Sequence, residues 1–282
     1  MELWFIFAIL SAVSAGLYSF TSKISAHMKH HSAQVTMYSM ISAAVLSGIY
    51  ALMIDVQRNS IAIIVVLAFV NILAYATVAM SRVDALKYIH STIYFPIYKI
   101  ASSMAAIPIG VFVFSDLMTG KELIGILLGI LTALALITKK ERARQEDFKR
   151  GAILLGIGVA AVSVGITTAK TIAHLNLDVS LYLFAGFLIG ILYARWRYHT
   201  TNGKKHESRH VKWVGLLGGV FMFSNFLFFT KALSGDLAVV YVINSFSTVI
   251  VVLLSVAFYK EHFDLKKGFA LLMMVASLIL LK

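Results

Sequence analysis

Apolar residues along this chain come in blocks of about 18–25, separated by short polar and charged steps. Blocks of that length cross a hydrocarbon core of roughly 30 Å as helices. The pattern predicts ten spans, roughly 3–22, 34–54, 60–81, 86–114 and 121–138, then 151–172, 179–195, 213–231, 237–259 and 265–281. Between the fifth and the sixth lies KKERARQEDFKR (139–150), a basic linker loop. It divides the chain into a first five-helix unit (1–138) and a second (151–282).

The two units share a pattern. AVSAGLYSFTSKISAH (12–27) is answered by AVSVGITTAKTIAH (161–174), and Ala85-Leu86 with Tyr94 recurs at the same spacing as Ala232-Leu233 with Tyr241. Asp116 followed by Gly125 matches Glu261 followed by Gly268. Four matches in one order point to duplication. A duplicated unit with an odd number of spans enters the membrane from the opposite face, which gives the framework of many secondary transporters. The expected fold is therefore all-α, ten transmembrane helices as a 5+5 inverted-topology repeat.

Composition strengthens the membrane reading. Hydrophobic residues make up 60% of the 282 and charged residues 13%, too little charge for the surface of a soluble domain. The formal net charge of +12 does not imply nucleic acid, because the basic residues sit in short loops. Those after spans 1, 3, 5, 7 and 9 carry 19 of the 25 lysines and arginines. That asymmetry makes the basic face cytoplasmic and places both termini outside, in a multi-pass protein of the plasma (inner) membrane. Trp196 and Trp213 bracket the basic loop between spans seven and eight, where interfacial tryptophans belong. The first span follows only Met1 and Glu2 and reads as a retained helix. With no cysteine in the chain, disulfides, thiolate metal sites and cysteine nucleophiles are excluded. No HExxH, GxSxG or P-loop pattern supports an enzyme, and no cofactor or metal is expected. The HMKHH tract (27–31) reads as a solvated loop, and His90 as a packed or interfacial histidine.

Inside a membrane, polar stripes on a helix face away from lipid. The fourth span has Thr92, Pro96, Lys99 and Ser102/Ser103 at three- and four-residue steps, and the ninth has Tyr241, Asn244, Ser245 and Thr248. The first offers Ser11, Ser14, Tyr18 and Ser22, the sixth Ser163, Thr167, Lys170 and His174, while Asn71, Tyr75 and Asn225 come from the third and eighth. Lys99 shares its span with Tyr94, Tyr98 and the chain's two prolines, Pro96 and Pro108. A lysine centred in lipid costs at least ~2.5–3.5 kcal/mol, and no Asp or Glu lies mid-span to pair with it. It therefore meets an anion or water, or loses its proton through desolvation. An anionic group on a substrate is the attractive partner, with snorkelling or pairing to a helix-end acid the alternative. Asp116 and Glu261 are expected to anchor helix starts by pairing with Lys121 or Lys260.

This pattern resembles the ten-helix EamA-like branch of the drug/metabolite transporter superfamily. The likeness rests on the repeat, on the Ala-Leu before the fourth span of each half, and on the endings FSDLMTGKELIGILLG (114–129) and FYKEHFDLKKGFALLM (258–273). The resemblance implies that helices 1, 3, 4, 6, 8 and 9 line a pathway, leaving 5 and 10 as scaffold or dimer surface, with Gly125xxxGly129 permitting close packing. The expected function is alternating-access transport, in the export direction, of an amino acid or other small carboxylate. Lys99, Tyr94, Tyr98, Tyr18, Ser14, Tyr241, Asn244, Ser245, Thr248, Asn225 and Thr167 are the expected binding residues. A neutral sugar or a quaternary amine held by an aromatic cage is the alternative substrate, and a membrane binding or lipid-handling protein without solute flux the alternative class. The expected partners are a small-molecule substrate and the bilayer, with the chain a monomer or homodimer.

Overall fold

A computed structural model describes residues 2–54, 60–89, 91–117, 119–135, 145–201 and 209–259, with Phe269, Met273, Ala276, Ser277 and Leu280 beyond them. His90, Lys260, Glu261, Gly268, the Thr92 side chain, most of the tenth span and the centres of the two long basic loops lie outside that set. Every regular element described is helical. In order these are α1 (Leu3–His27), α2 (Ser32–Leu52), α3 (Ile61–Ala85), α4 (Ser91–Pro108), a π-helical turn (Ile109–Val113) and α5 (Gly120–Ala135). The second half has α6 (Gln145–His174), α7 (Val179–Thr200), α8 (Arg209–Ala232), α9 (Leu237–Ser245) and α10 (Ser247–Tyr259). Eight stretches are long and apolar enough to cross a membrane, counting α4 with its π-turn as one and α9 with α10 as one. The fifth expected span is present as α5, and the tenth falls outside the described residues.

The duplication is visible where α1 and α6 end. In α1, Lys29 takes a positive φ of 55°, and His30 N–H reaches back to the Ser25 carbonyl at 2.9 Å. In α6, Asn176 takes φ 50°, and Leu177 N–H reaches the Ile172 carbonyl at 3.0 Å. Each is a left-handed helix stop that satisfies a terminal carbonyl, and each lies two residues after the histidine of the shared Ala-His. Packing repeats as well. α1 lies against α8 as α6 lies against α3; α2 meets α7; α4 meets α9; and α1 touches α9 as α4 touches α6. Each contact has its counterpart when the halves are exchanged.

The bundle is apolar outside and polar within. Leu52, Phe112, Leu192 and Phe258 are exposed by more than two thirds of their surface, at 89%, 83%, 69% and 70%, while Ser11, Ser102, Asn244 and Lys99 are buried. Lipid would cover the first set, and the second must find partners inside. Close approach is needed where α2 crosses α8: a methyl group on Gly219 would land on the Ser39 carbonyl. At the α5 face, Ser277 Oγ donates to the Gly125 carbonyl at 2.7 Å, so this glycine is used within the chain.

Several span limits differ from those the charges suggest, and α6 already begins at Gln145, so the second half of the expected 139–150 linker loop is helical. α1 runs to His27 instead of 22, α3 to Ala85 instead of 81, and α4 starts at Ser91 instead of 86. Lys23 and Arg82, both counted as loop residues by the charge pattern, therefore lie inside helices and are buried. A charge does not end a span when the helix can turn it toward the interior, as Val83 and Ala85 on the same turns also pack inward. Asp116 also differs from expectation. Its carboxylate pairs with Lys170 at 3.2 Å rather than with Lys121, and accepts from Leu237 N–H at 2.8 Å, capping the start of α9.

Candidate functional site

Two helices lose regularity in the membrane. α4 continues through Pro96 but passes into a π-turn directly after Pro108, which has no N–H to donate. The ninth span breaks at Phe246, where Phe246 N–H bonds the Ile243 carbonyl at 3.0 Å and Val249 N–H the Phe246 carbonyl at 3.0 Å. These i to i+3 bonds tighten the chain between α9 and α10. Irregular backbone at membrane depth is tolerated only inside protein or beside a cavity, and the break between α9 and α10 lies next to Lys99, which bonds Asn244.

Lys99 is 6% exposed. Its ammonium donates to Asn244 Oδ1 at 2.7 Å and lies 3.4 Å from the Asn244 main-chain oxygen, one residue pair before the break. Asn244 Nδ2 donates to Ser11 Oγ at 2.7 Å, and Ser11 Oγ donates to Asn225 Oδ1 at 3.0 Å. One chain of hydrogen bonds thus joins α4, α9, α1 and α8. Below it, Ser103 and Ser245 share a hydrogen bond of 3.0 Å between α4 and α9.

A small cavity of about 60 Å³ opens beside this network, narrower than the usual small-molecule site. Tyr18, Tyr98, Lys99, Asn225, Tyr241 and Asn244 are on its wall, all of them expected from sequence. The other five expected residues are not. Tyr94 stacks behind Tyr98, ring centres 5.8 Å apart. Ser14 is buried in α1 away from the wall, and Thr248 is buried on the first turn of α10. Ser245 is turned to Ser103, and Thr167 donates to the Ser163 carbonyl one turn back, at 3.0 Å. The whole polar stripe of α6 faces elsewhere: the sixth helix shows the cavity Val162, Gly165, Ile166 and Ala169, while Lys170 is held by Asp116. Gly165 lies close to α3, where a Cβ would stand 3.0 Å from Asn71 Oδ1. The missing side chain lets α6 pack there with this apolar face toward the site.

The residue that sequence reasoning missed is Arg82. It is 5% exposed and on the cavity wall. Its guanidinium sits 5.4 Å from the ring centres of both Tyr18 and Tyr98, as Lys99 sits 5.6 Å from that of Tyr241. Such contacts favour cations. Its hydrogen bond to Ser19 Oγ is long, 3.4 Å, its Nε has no partner, and the hydroxyls of Tyr94 and Tyr98 also lie against it. Neither Arg82 nor Lys99 forms an ion pair among the described residues, where the pairs are Lys87 with Asp84 and Lys170 with Asp116. The available signal was the 2.6 mean hydropathy of 61–85, strong enough to carry a helix past one arginine.

Comparison with known proteins follows the same lines. The profile of the EamA-like transporter family matches residues 2–138 and, a second time, residues 149–282. The chain belongs to the EamA-like transporter family. It is a multi-pass membrane transporter of small solutes. A solved crystal structure, titled only as that of a protein, superposes on this EamA-like chain with a TM-score of 0.74 at 14% identity, covering 97% of this chain and 95% of the other. That likeness speaks for the fold. No curated protein matches the sequence.

The histidine tract of this EamA-like transporter serves packing. The His27 ring lies 5.1 Å from that of Tyr259, and His31 lies 5.1 Å from Tyr198 while sharing a 3.3 Å hydrogen bond with Thr201. No group of three possible metal ligands occurs among the described residues.

Proposed function

We propose that this EamA-like transporter moves a small polar metabolite bearing a carboxylate, by alternating access, exporting it across the plasma membrane with its basic loops in the cytoplasm. The observation that carries the reading is Lys99, buried at a helix break and bonded to an amide oxygen, with no carboxylate beside it. Asn244 keeps the ammonium solvated in the resting state. A substrate carboxylate would replace a neutral acceptor with a charged one, which roughly doubles the strength of such a hydrogen bond. Tyr98 and Tyr241 offer faces and hydroxyls to the rest of the molecule.

The aromatic-cage alternative loses support on the same geometry. Tyr18, Tyr98 and Tyr241 already have cations of the chain against their rings, so an amine entering here would meet two like charges. Like-charge contacts in a cavity cost several kcal/mol.

The test is a thermal-shift screen of purified protein with amino acids, organic acids, sugars and quaternary amines, followed by counterflow in liposomes, each run beside Lys99→Ala. An acid should stabilise the protein and exchange, and the variant should lose both. Undiminished exchange of the true substrate by Lys99→Ala would remove Lys99 from the site. A stabilising amine or sugar that the variant still binds would transfer the site to the tyrosines.

A further inference from the structure

Two cations face the cavity, and the carboxylate reading uses only one. Arg82 approaches from the last turn of α3, Lys99 from the middle of α4. Arg82 and Lys99 share one cavity wall, and no acid is on that wall among the described residues. The groups acting on Arg82 are Tyr98, Tyr75, Tyr94 and Tyr18, with no acid among them. Burying an ion costs several kcal/mol even after relaxation, and two unpaired like charges in one cavity cost more than either alone. A monocarboxylate would neutralise one and leave the other exposed to the same penalty. Arg82 also has idle donors. A guanidinium carries five N–H groups in a planar fork suited to two oxygens at once; Nε is unpartnered, the bond to Ser19 is long, and the Tyr94 and Tyr98 hydroxyls are neutral partners for part of the remainder.

The approach to the cavity carries the same sign. A second cavity on the basic side is lined by Lys23, His27, Lys87 and Tyr259, with Leu86 to Ile89 and Ser91 completing its wall, and among the described residues no carboxylate belongs to that wall. Lys87 is partly neutralised by Asp84 at 2.7 Å. The two cavities follow one another along the same elements. On α1, Ser19 of the first is four residues from Lys23 of the second, and on the α3 side Arg82 is four from Leu86; four helical residues rise about 6 Å. A route lined by one sign of charge concentrates the opposite ion.

Resting on the reading of this cavity as the transport site, we infer that its substrate is a dianion, a compound with two acidic groups or one phosphate monoester, held between Lys99 and the Arg82 fork. Lys99 takes one oxygen as a point charge, and Arg82 takes two in its plane between Tyr18 and Tyr98. The substrate then brings the charge that the protein leaves out.

The experiment compares similar compounds that differ in charge, with the purified full chain at pH 7, where a phosphate monoester has mostly lost its second proton. Succinate is compared with its monoamide succinamate, malate with lactate, and glycerol 3-phosphate with glycerol, with inorganic phosphate alongside. Dissociation constants come from thermal shifts in the wild type, Arg82→Gln, Arg82→Lys and Lys99→Ala. The expected result is at least ~10-fold tighter binding of one dianion than of its singly charged or neutral counterpart. That preference should collapse in Arg82→Gln and return in part in Arg82→Lys. Whether succinate and malate or glycerol 3-phosphate gives the effect separates dicarboxylate from phosphate recognition. Equal binding of succinate and succinamate, a preference that survives Arg82→Gln, or no response to any dianion overturns the inference. Should Arg82→Gln not fold, Arg82→Lys and the wild-type pairs still decide it. Monoacids that bind in a Lys99-dependent way, with dianions no better, would sink the dianion alone. Acids of either charge without effect on binding or counterflow would sink the carboxylate reading beneath it.

Discussion

The ion pair of Lys170 and Asp116 should govern access to the cavity from the face opposite the basic loops. Lys170 lies in the last turns of α6, and its ammonium also donates to the Gly235 carbonyl at 2.8 Å and the Leu233 carbonyl at 3.2 Å. Asp116 follows the π-turn of α4 and caps α9. One buried pair therefore ties four segments together across the end of the pathway. The side chains are 7% and 10% exposed, so screening by water is slight. Truncating one partner of such a pair costs about 3–5 kcal/mol. Lys170 would keep its two carbonyls, which puts Asp116→Asn near the low end, and Asp116→Ala adds the cap, worth about 1 kcal/mol.

Opening the face would let both groups regain water, so the pair biases closure by less than truncation costs. A bias of about 2 kcal/mol corresponds to a factor of roughly 30 in the open population. The assay exploits a chain with no cysteine. Ala169, on the cavity wall, becomes the single cysteine, and an impermeant maleimide is added to oriented proteoliposomes from the Asp116 side. Asp116→Asn with Lys170→Met removes both charges without stranding either. Labelling should accelerate about 30-fold over the parent, and Asp116→Asn alone should lower thermal stability more than the double variant does. A labelling rate within about threefold of the parent would mean that the pair only braces the fold and does not hold the pathway shut.

Two further outcomes are expected. Gly219→Ala forces α2 from α8 at the Ser39 carbonyl and should cost about 1–3 kcal/mol by overpacking, seen as a lower melting temperature. Gly156→Ala, with nothing within 4 Å of the new methyl, should be neutral or slightly stabilising; equal losses at both would refute the packing account. His30, in the loop between α1 and α2, is held below the ordinary histidine range first by burial and then by His210 and Lys87. The unfolded chain therefore binds the proton more readily. Stability should fall as pH drops below about 6.5, levelling off once the folded-state group also titrates, and His30→Asn should flatten that slope in melts at pH 5 to 8.

Repeat, spans and much of the polar part of the cavity wall are legible because the bilayer imposes rules a single sequence can display. A twenty-residue apolar run has few alternatives to a spanning helix, and Ala-His followed two residues later by Lys29 or Asn176 marks the same helix stop twice. Tyr98, Lys99, Tyr241 and Asn244 were found because α4 and α9 turn polar residues inward at helical spacing. What misled was the assumption that charge marks a boundary and polarity marks the pathway. Arg82 was taken for a topology signal, yet its helix continues and folds it between two tyrosine rings. Thr167 and Ser163 form a polar stripe, yet each hydroxyl bonds a carbonyl one turn back and so satisfies itself without the cavity. Asp116 and Lys170 come from different units, and no local pattern could join them. The informative residue on α6 was its smallest, Gly165, whose lack of a side chain lets Asn71 approach and turns an apolar face to the site. For a buried membrane site, then, close packing bears on which face of a helix is shown, and a charged residue such as Arg82 stands out by the donor, Nε, that packing leaves unfilled.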